Sequence, residues 1–183
     1  SDATTTGTVR IAATNVGGSS SSPGRIANVG GTLYFRANDG TTGMELWKSD
    51  GTAAGTMLVK DLRAGASGPD PSTFTNVDGT LYFTANAGTG GRELWRSDGT
   101  DAGTVLVKHL NLGPDSYLFD SLTNVGGTLY FAAWDGFFGY ELWKSDGTEA
   151  GTVRVKDIHT GVADSHPLSL TNVGGTLYFR AND

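Results

Sequence analysis

The chain has 183 residues, a formal net charge of −6, a pI near 4.9 and no cysteine. The acidic balance argues against a nucleic-acid partner, whose phosphates favour a basic face, and the lack of cysteine excludes disulfides and thiolate metal sites. No apolar run approaches the roughly 20 residues of a spanning helix, so membrane insertion is not expected, and 28 glycines imply short, turn-rich elements.

In chain order, the first stretch is the least regular. Ser1-Asp2-Ala3-Thr4 has neither Met nor a basic-then-apolar leader, so the chain is expected to be processed, excised or a piece of a longer one. Residues 1–11 align with 49–59 and predict a strand, although Gly51 is matched by Ala3 and Lys60-Asp61-Leu62 by Ala12-Ala13-Thr14. The segment GGSSSSPG at 17–24 reads as a polar, flexible loop.

A word then recurs at a fixed step. ELWKSDGT stands at 45–52, ELWRSDGT at 93–100 and ELWKSDGT at 141–148, each 48 residues after the last. NVGGTLYF at 28–35, 124–131 and 172–179, with NVDGTLYF at 76–83, keeps the same step. A fixed period in the range of about 20–50 residues signals a repeat architecture. The units are 28–75, 76–123 and 124–171, preceded by a degenerate remainder (one strand and the polar loop) at 1–27. A partial repeat at 172–183 follows, which closes on or pairs with the N-terminal strand.

The third unit shows the elements best. Leu122 to Val125 (strand A), Thr128 to Ala133 (B), Tyr140 to Lys144 (C) and Thr152 to Ile158 (D) are short, rich in β-branched and aromatic residues, and bounded by Gly, Asn and Asp. Gly126-Gly127 joins A to B as a tight hairpin and Asp146-Gly147 marks the C–D turn. No window carries helical periodicity. Four antiparallel strands in about 48 residues predict an all-β, β-propeller-like array of four blades, one of them incomplete at the chain ends.

Strand B places Leu33, Phe35 and Ala37 on one face and Tyr34 on the other, so each sheet wants a neighbour on both sides. Trp47, Trp95 and Trp143 are expected in the seams between sheets. Four full periods need 192 residues against 183; the nine expected to be absent match 40–48. Closure by a three-stranded blade, continuation into further repeats, and pairing with a second copy all accommodate that gap.

These words resemble the ELWxxDGT repeat family, bacterial and mostly secreted or surface-borne proteins whose repeats are read as β-propeller-like blades. The resemblance covers 28–183 strongly and 1–27 weakly. It implies an extracellular or cell-surface setting and no particular activity.

Within the word, Asp50, Asp98 and Asp146 suit a hard cation such as Ca²⁺, but each copy offers a single carboxylate. A turn-capping role is preferred and no cofactor is expected. Glu45, Glu93 and Glu141 recur in every unit, which suggests a structural pairing with Lys60, Lys108 and Lys156 rather than catalysis. No nucleophile–base–orienter set is present, so no enzyme is expected. His159, His166 and Asp164 share one D–A loop and read as solvated rather than as a zinc site.

The residues that break the repeat are the better lead. Only the third B–C loop is aromatic, with Trp134, Phe137 and Phe138, and Tyr140 follows where Met44 and Arg92 stand in the other units. The preceding D–A loop adds Tyr117 and Phe119, and both loop types are expected on one rim. These six form a candidate interaction patch, the alternative being a small satellite core. The expected function is a non-enzymatic scaffold that self-associates through incomplete blade edges into a ring or filament. The rival is a glycan-binding propeller using the loop aromatics.

Overall fold

The computed structural model describes residues 10–15, 17, 19–65, 67–88, 91–110 and 121–183. Among these the chain is all-β, without a helix, and its fourteen strands form four antiparallel sheets. Sheet 1 is β1 (Gly24–Val29), β2 (Thr32–Asn38), β3 (Met44–Ser49) and β4 (Met57–Lys60), paired in that order. Sheet 2 repeats it with β5 (Ser72–Val77), β6 (Thr80–Ala85), β7 (Glu93–Ser97) and β8 (Val105–Lys108). Sheet 3 consists of β9 (Thr123–Val125), β10 (Thr128–Trp134), β11 (Tyr140–Ser145) and β12 (Val153–Lys156). Sheet 4 is the hairpin of β13 (Leu168–Val173) and β14 (Thr176–Arg180). The strand predicted from residues 1–11 falls largely outside the described residues; Arg10 and Ile11 carry no strand.

Each first hairpin turns on two residues of positive φ: Gly30 and Gly31, Asp78 and Gly79, Gly126 and Gly127, Gly174 and Gly175. Two consecutive left-handed residues match the right-handed twist of the flanking strands. The Asn before each turn locks it, because Asn28, Asn76, Asn124 and Asn172 accept the N–H of the last turn glycine through Oδ1 at 3.0 Å.

The cores lie between sheets, as the two-faced strands require. One holds Val29, Tyr34, Leu46 and Val59 of sheet 1 against Leu81, Phe83 and Ala85 of sheet 2, with Phe74 and Trp95 packed on it. The next repeats this a period later, with Val77, Tyr82, Leu94 and Val107 against Leu122, Leu129, Phe131, Ala133 and Trp143. Trp95 and Trp143 therefore occupy seams. Trp95 stacks on Phe83 at 6.5 Å between centroids, and Phe83 meets Phe74 edge-on at 6.0 Å.

Polar stitching joins sheet 2 to sheet 3 and sheet 3 to sheet 4. Asn124 and Asn172 donate from Nδ2 to the carbonyls of Asn76 and Asn124, at 3.3 and 2.9 Å. In the opposite direction, the hydroxyls of Thr75 and Thr123 donate to the carbonyls of Leu122 and Leu170.

Candidate functional site

The recurring word is consumed by its own turn. Ser49 Oγ accepts the Gly51 N–H and bonds Thr56 Oγ1 at 2.7 Å. Asp50 Oδ1 accepts both the N–H and the hydroxyl of Thr52, at 2.9 and 2.7 Å. Thr52 Oγ1 takes the Gly55 N–H, and Thr56 Oγ1 donates to the Thr52 carbonyl. The units at Asp98 and Asp146 repeat these bonds. Hydrogen bonds from Thr52, Thr100 and Thr148 hold the three aspartates below the usual carboxylate range. Gly55, Gly103 and Gly151 are required because a Cβ there would lie 2.0–2.1 Å from the aspartate carboxylate. Among the described residues no group of three or more His, Asp or Glu is placed to hold a metal ion.

The recurring glutamates are structural, but their partner differs from the one expected. Glu45, Glu93 and Glu141 are buried, and Oε2 accepts the backbone N–H of Leu62, Leu110 and Ile158 respectively, fixing the chain where it leaves the fourth strand. The lysines reach onward instead: Lys60 Nζ donates to the Asp101 carbonyl, and Lys108 Nζ to those of Glu149 and Thr152. Burial pushes Glu45 from the ordinary 4.5 up to about 8, the Leu62 N–H opposes the shift, and the neighbouring Asp61 and Asp39 add to it. The folded state thus holds a proton that the unfolded chain releases above about 4.5. Stability is expected to fall as pH rises from there to about 8 and then level off. Urea unfolding across that window is expected to show the decline, and Glu45→Gln to flatten it.

The rim cluster of the third unit is built on the β10–β11 hairpin. Trp134 ends β10 opposite Tyr140, which starts β11. Between them Asp135 Oδ1 accepts the N–H groups of Phe137 and Phe138 and folds the loop. Phe137 is 66% exposed and Phe138 39%. Phe138 lies over the Arg154 guanidinium at 3.8 Å, a cation–π contact. Tyr140 stacks on the His166 ring at 5.7 Å and donates its N–H to Asp164 Oδ1, while His166 Nε2 stands 3.3 Å from Asp164 Oδ2. Trp134, Phe137, Phe138 and Tyr140 thus share a hairpin, and the loop carrying Asp164 and His166 joins it. Tyr117 and Phe119 lie outside the described residues. The roles of His166 and Arg154 escaped sequence reasoning. The available signal was that Tyr140 and His166 replace Met44 and Asp70, which are also joined, by the Asp70 N–H to the Met44 carbonyl.

The other notable surfaces are the outer faces of sheets 1 and 4. Within the seams, Tyr34 and Tyr82 aim their hydroxyls at Gly99 and Gly147 in the turn of the following sheet. A Cβ on either glycine would come within 2.3 or 2.1 Å of the phenol oxygen, so a glycine there forms a socket for a tyrosine. Burial first, then the nearby Asp98 carboxylate, raises the Tyr34 pKa. At Gly51, the equivalent residue in sheet 1, an added Cβ would meet nothing within 4 Å among the described residues beyond its chain neighbours. Beside it, Leu33 and Phe35 line an open groove of about 250 Å³ together with Ile11 and Pro23. On sheet 4, Tyr178 is 59% exposed, whereas Tyr34 and Tyr82 are 4% and 6% exposed.

Comparison of the chain with protein-family models, with curated proteins and with solved structures finds no match.

Proposed function

We propose that this chain is a non-enzymatic, extracellular repeat scaffold of the ELWxxDGT kind, with propeller-like blades, that self-associates through its two outer sheet faces. The carrying observation is that the apolar residues used between sheets recur, exposed, on the outermost sheets: Leu33 on sheet 1, and Val173 and Tyr178 on sheet 4. A soluble protein rarely leaves such faces bare unless they meet a partner. The recurring polar residues support the same reading, because Ser, Asp and Thr of each turn and each buried glutamate are spent on backbone bonds. These groups are spent on the fold rather than gathered at one point, as a catalytic set would be. Light scattering of the 183-residue chain from low to high micromolar concentration, with electron microscopy of the concentrated sample, tests the proposal. Rings or filaments are expected; a monomer throughout that range rejects it.

A glycan-binding reading is favoured by one observation, the exposed Phe137 beside Phe138 and Tyr140 on the rim. Binding on a glycan array that is lost in Trp134→Ala and Phe138→Ala would support this second reading.

A further inference from the structure

We infer that sheet 4 of one copy docks on sheet 1 of a second copy, head to tail, with Tyr178 entering the socket at Gly51. This rests on the self-association proposed above and assigns it a surface, a polarity and a register.

The chain itself contains the template. In the two seams between four-stranded sheets the earlier sheet supplies a Val from its first strand and a Tyr from its second (Val29 and Tyr34, then Val77 and Tyr82), with a Leu and a Val from its third and fourth (Leu46 and Val59, then Leu94 and Val107). The later sheet supplies an apolar residue in or just before its first strand, Phe74 or Leu122, the Leu-x-Phe pair of its second strand, and the glycine socket of its turn. Sheet 4 presents the Val and Tyr of the first set, with Val173 57% exposed beside Tyr178. Sheet 1 carries the second set: Ile26, which is 66% exposed, Leu33, which is 36% exposed, Phe35, which is already buried at 8%, and Gly51. The two faces therefore complement each other over the first hairpin of the seam, while the two-stranded sheet 4 has no counterpart of Leu46 and Val59. Tyr178 stands in β14 where Tyr34 stands in β2, and Gly51 stands in the turn where Gly99 and Gly147 stand.

The polar groups extend the match. Across the seams, Thr75 and Thr123 donate to the carbonyls of Leu122 and Leu170. Thr171 is the next in the series, and its hydroxyl turns back to the Ser169 carbonyl. In the docked pair it gains the Ile26 carbonyl of the second copy. Similarly Asn28, whose Oδ1 holds its own hairpin, has an amide placed to donate to the Asn172 carbonyl, as Asn172 does to Asn124. Among the described residues of one chain the halves do not meet, since a Cβ at Gly51 would find nothing within 4 Å and Tyr178 stays exposed. A second copy is thus the occupant whose surface is already specified by this sequence. Because the two faces differ, the contact is heterologous and propagates until it closes or forms a filament.

The test uses two full-length variants, each altered only at exposed residues: Val173→Asp with Tyr178→Asp (tail-blocked), and Ile26→Asp (head-blocked). Loss of a central aromatic anchor is expected to weaken association at least about thirtyfold. Each variant alone should sediment as a monomer with wild-type circular dichroism, and an equimolar mixture should give 1:1 dimers and nothing larger. Because the chain has no cysteine, Val173→Cys and Ile26→Cys chains provide a second readout. When mixed and oxidised, they should form a disulfide between chains. Assembly that survives both blocks overturns this seam while leaving self-association standing. A wild-type monomer at every concentration overturns both. In a chain carrying both cysteines, a disulfide formed within the monomer assigns the seam to closure of one chain and overturns the second copy.

Discussion

Gly147→Ala is expected to cost far more stability than Gly51→Ala, although the two glycines have almost the same backbone, with φ of +89° and +92°. Both substitutions force an L-residue into a left-handed conformation, at about 1–2 kcal/mol. Only at Gly147 does the new methyl also meet the Tyr82 hydroxyl, 2.1 Å from the Cβ position, so the ring must leave the seam or the turn must shift. Overpacking of that kind adds about 1–3 kcal/mol. The total expected for Gly147→Ala is about 2–5 kcal/mol by urea unfolding, against about 1–2 for Gly51→Ala measured at dilution. Removing the hydroxyl with Tyr82→Phe should recover part of the Gly147→Ala loss and none of the Gly51→Ala loss. A double-mutant cycle with no coupling between Tyr82 and Gly147 would show that the socket is not an energetic contact.

Phe131→Ala is expected to be the most damaging single truncation. Phe131 is fully buried in the seam between sheets 2 and 3, among Leu129, Tyr82 and Trp143. Its removal loses the transfer free energy of the ring and leaves a cavity, together about 3–5 kcal/mol. The loss falls on the contact between neighbouring units, on which stacked repeats depend for stability. A broadened or split unfolding transition is therefore expected along with the lower midpoint. Phe179 occupies the same place in the repeat but is 38% exposed, and Phe179→Ala is expected to cost under about 1.5 kcal/mol in the monomer. Comparable losses at the two positions would contradict the assignment of the seams.

The strands and hairpins were legible in the sequence because their causes are local. Gly126-Gly127 demands a turn of positive φ, and alternation along Leu129-Tyr130-Phe131 fixes which side chains share a face. That both faces are apolar already implied a neighbour on each side, which put Trp47, Trp95 and Trp143 in seams; Trp95 and Trp143 lie there, whereas Trp47 belongs to neither core. What stayed hidden depends on spacings set by packing between strands. Glu45 meets the N–H of Leu62, seventeen residues on, because the chain leaving β4 crosses the end of β3. Lys60, adjacent in the sheet, reaches a carbonyl of the next sheet instead. The Tyr34–Gly99 socket spans 65 residues, one period plus the distance from strand to turn, and neither word alone reveals it. The stacking of His166 on Tyr140 was missed for a different reason: a loop histidine carries no periodicity from which its partner could be inferred.

The asparagine of each hairpin has a consequence for how such a protein changes over generations. Its Oδ1 closes its own turn, while at Asn124 and Asn172 the amide also clips to the matching carbonyl one unit back. Every such bond links a residue to its counterpart 48 positions away. Tandem duplication or loss of any 48-residue segment, wherever the cut falls, would restore the same pairs at the junction. Recombination could then change the length of the protein without a compensating substitution, so that length becomes a heritable variable separate from the fold.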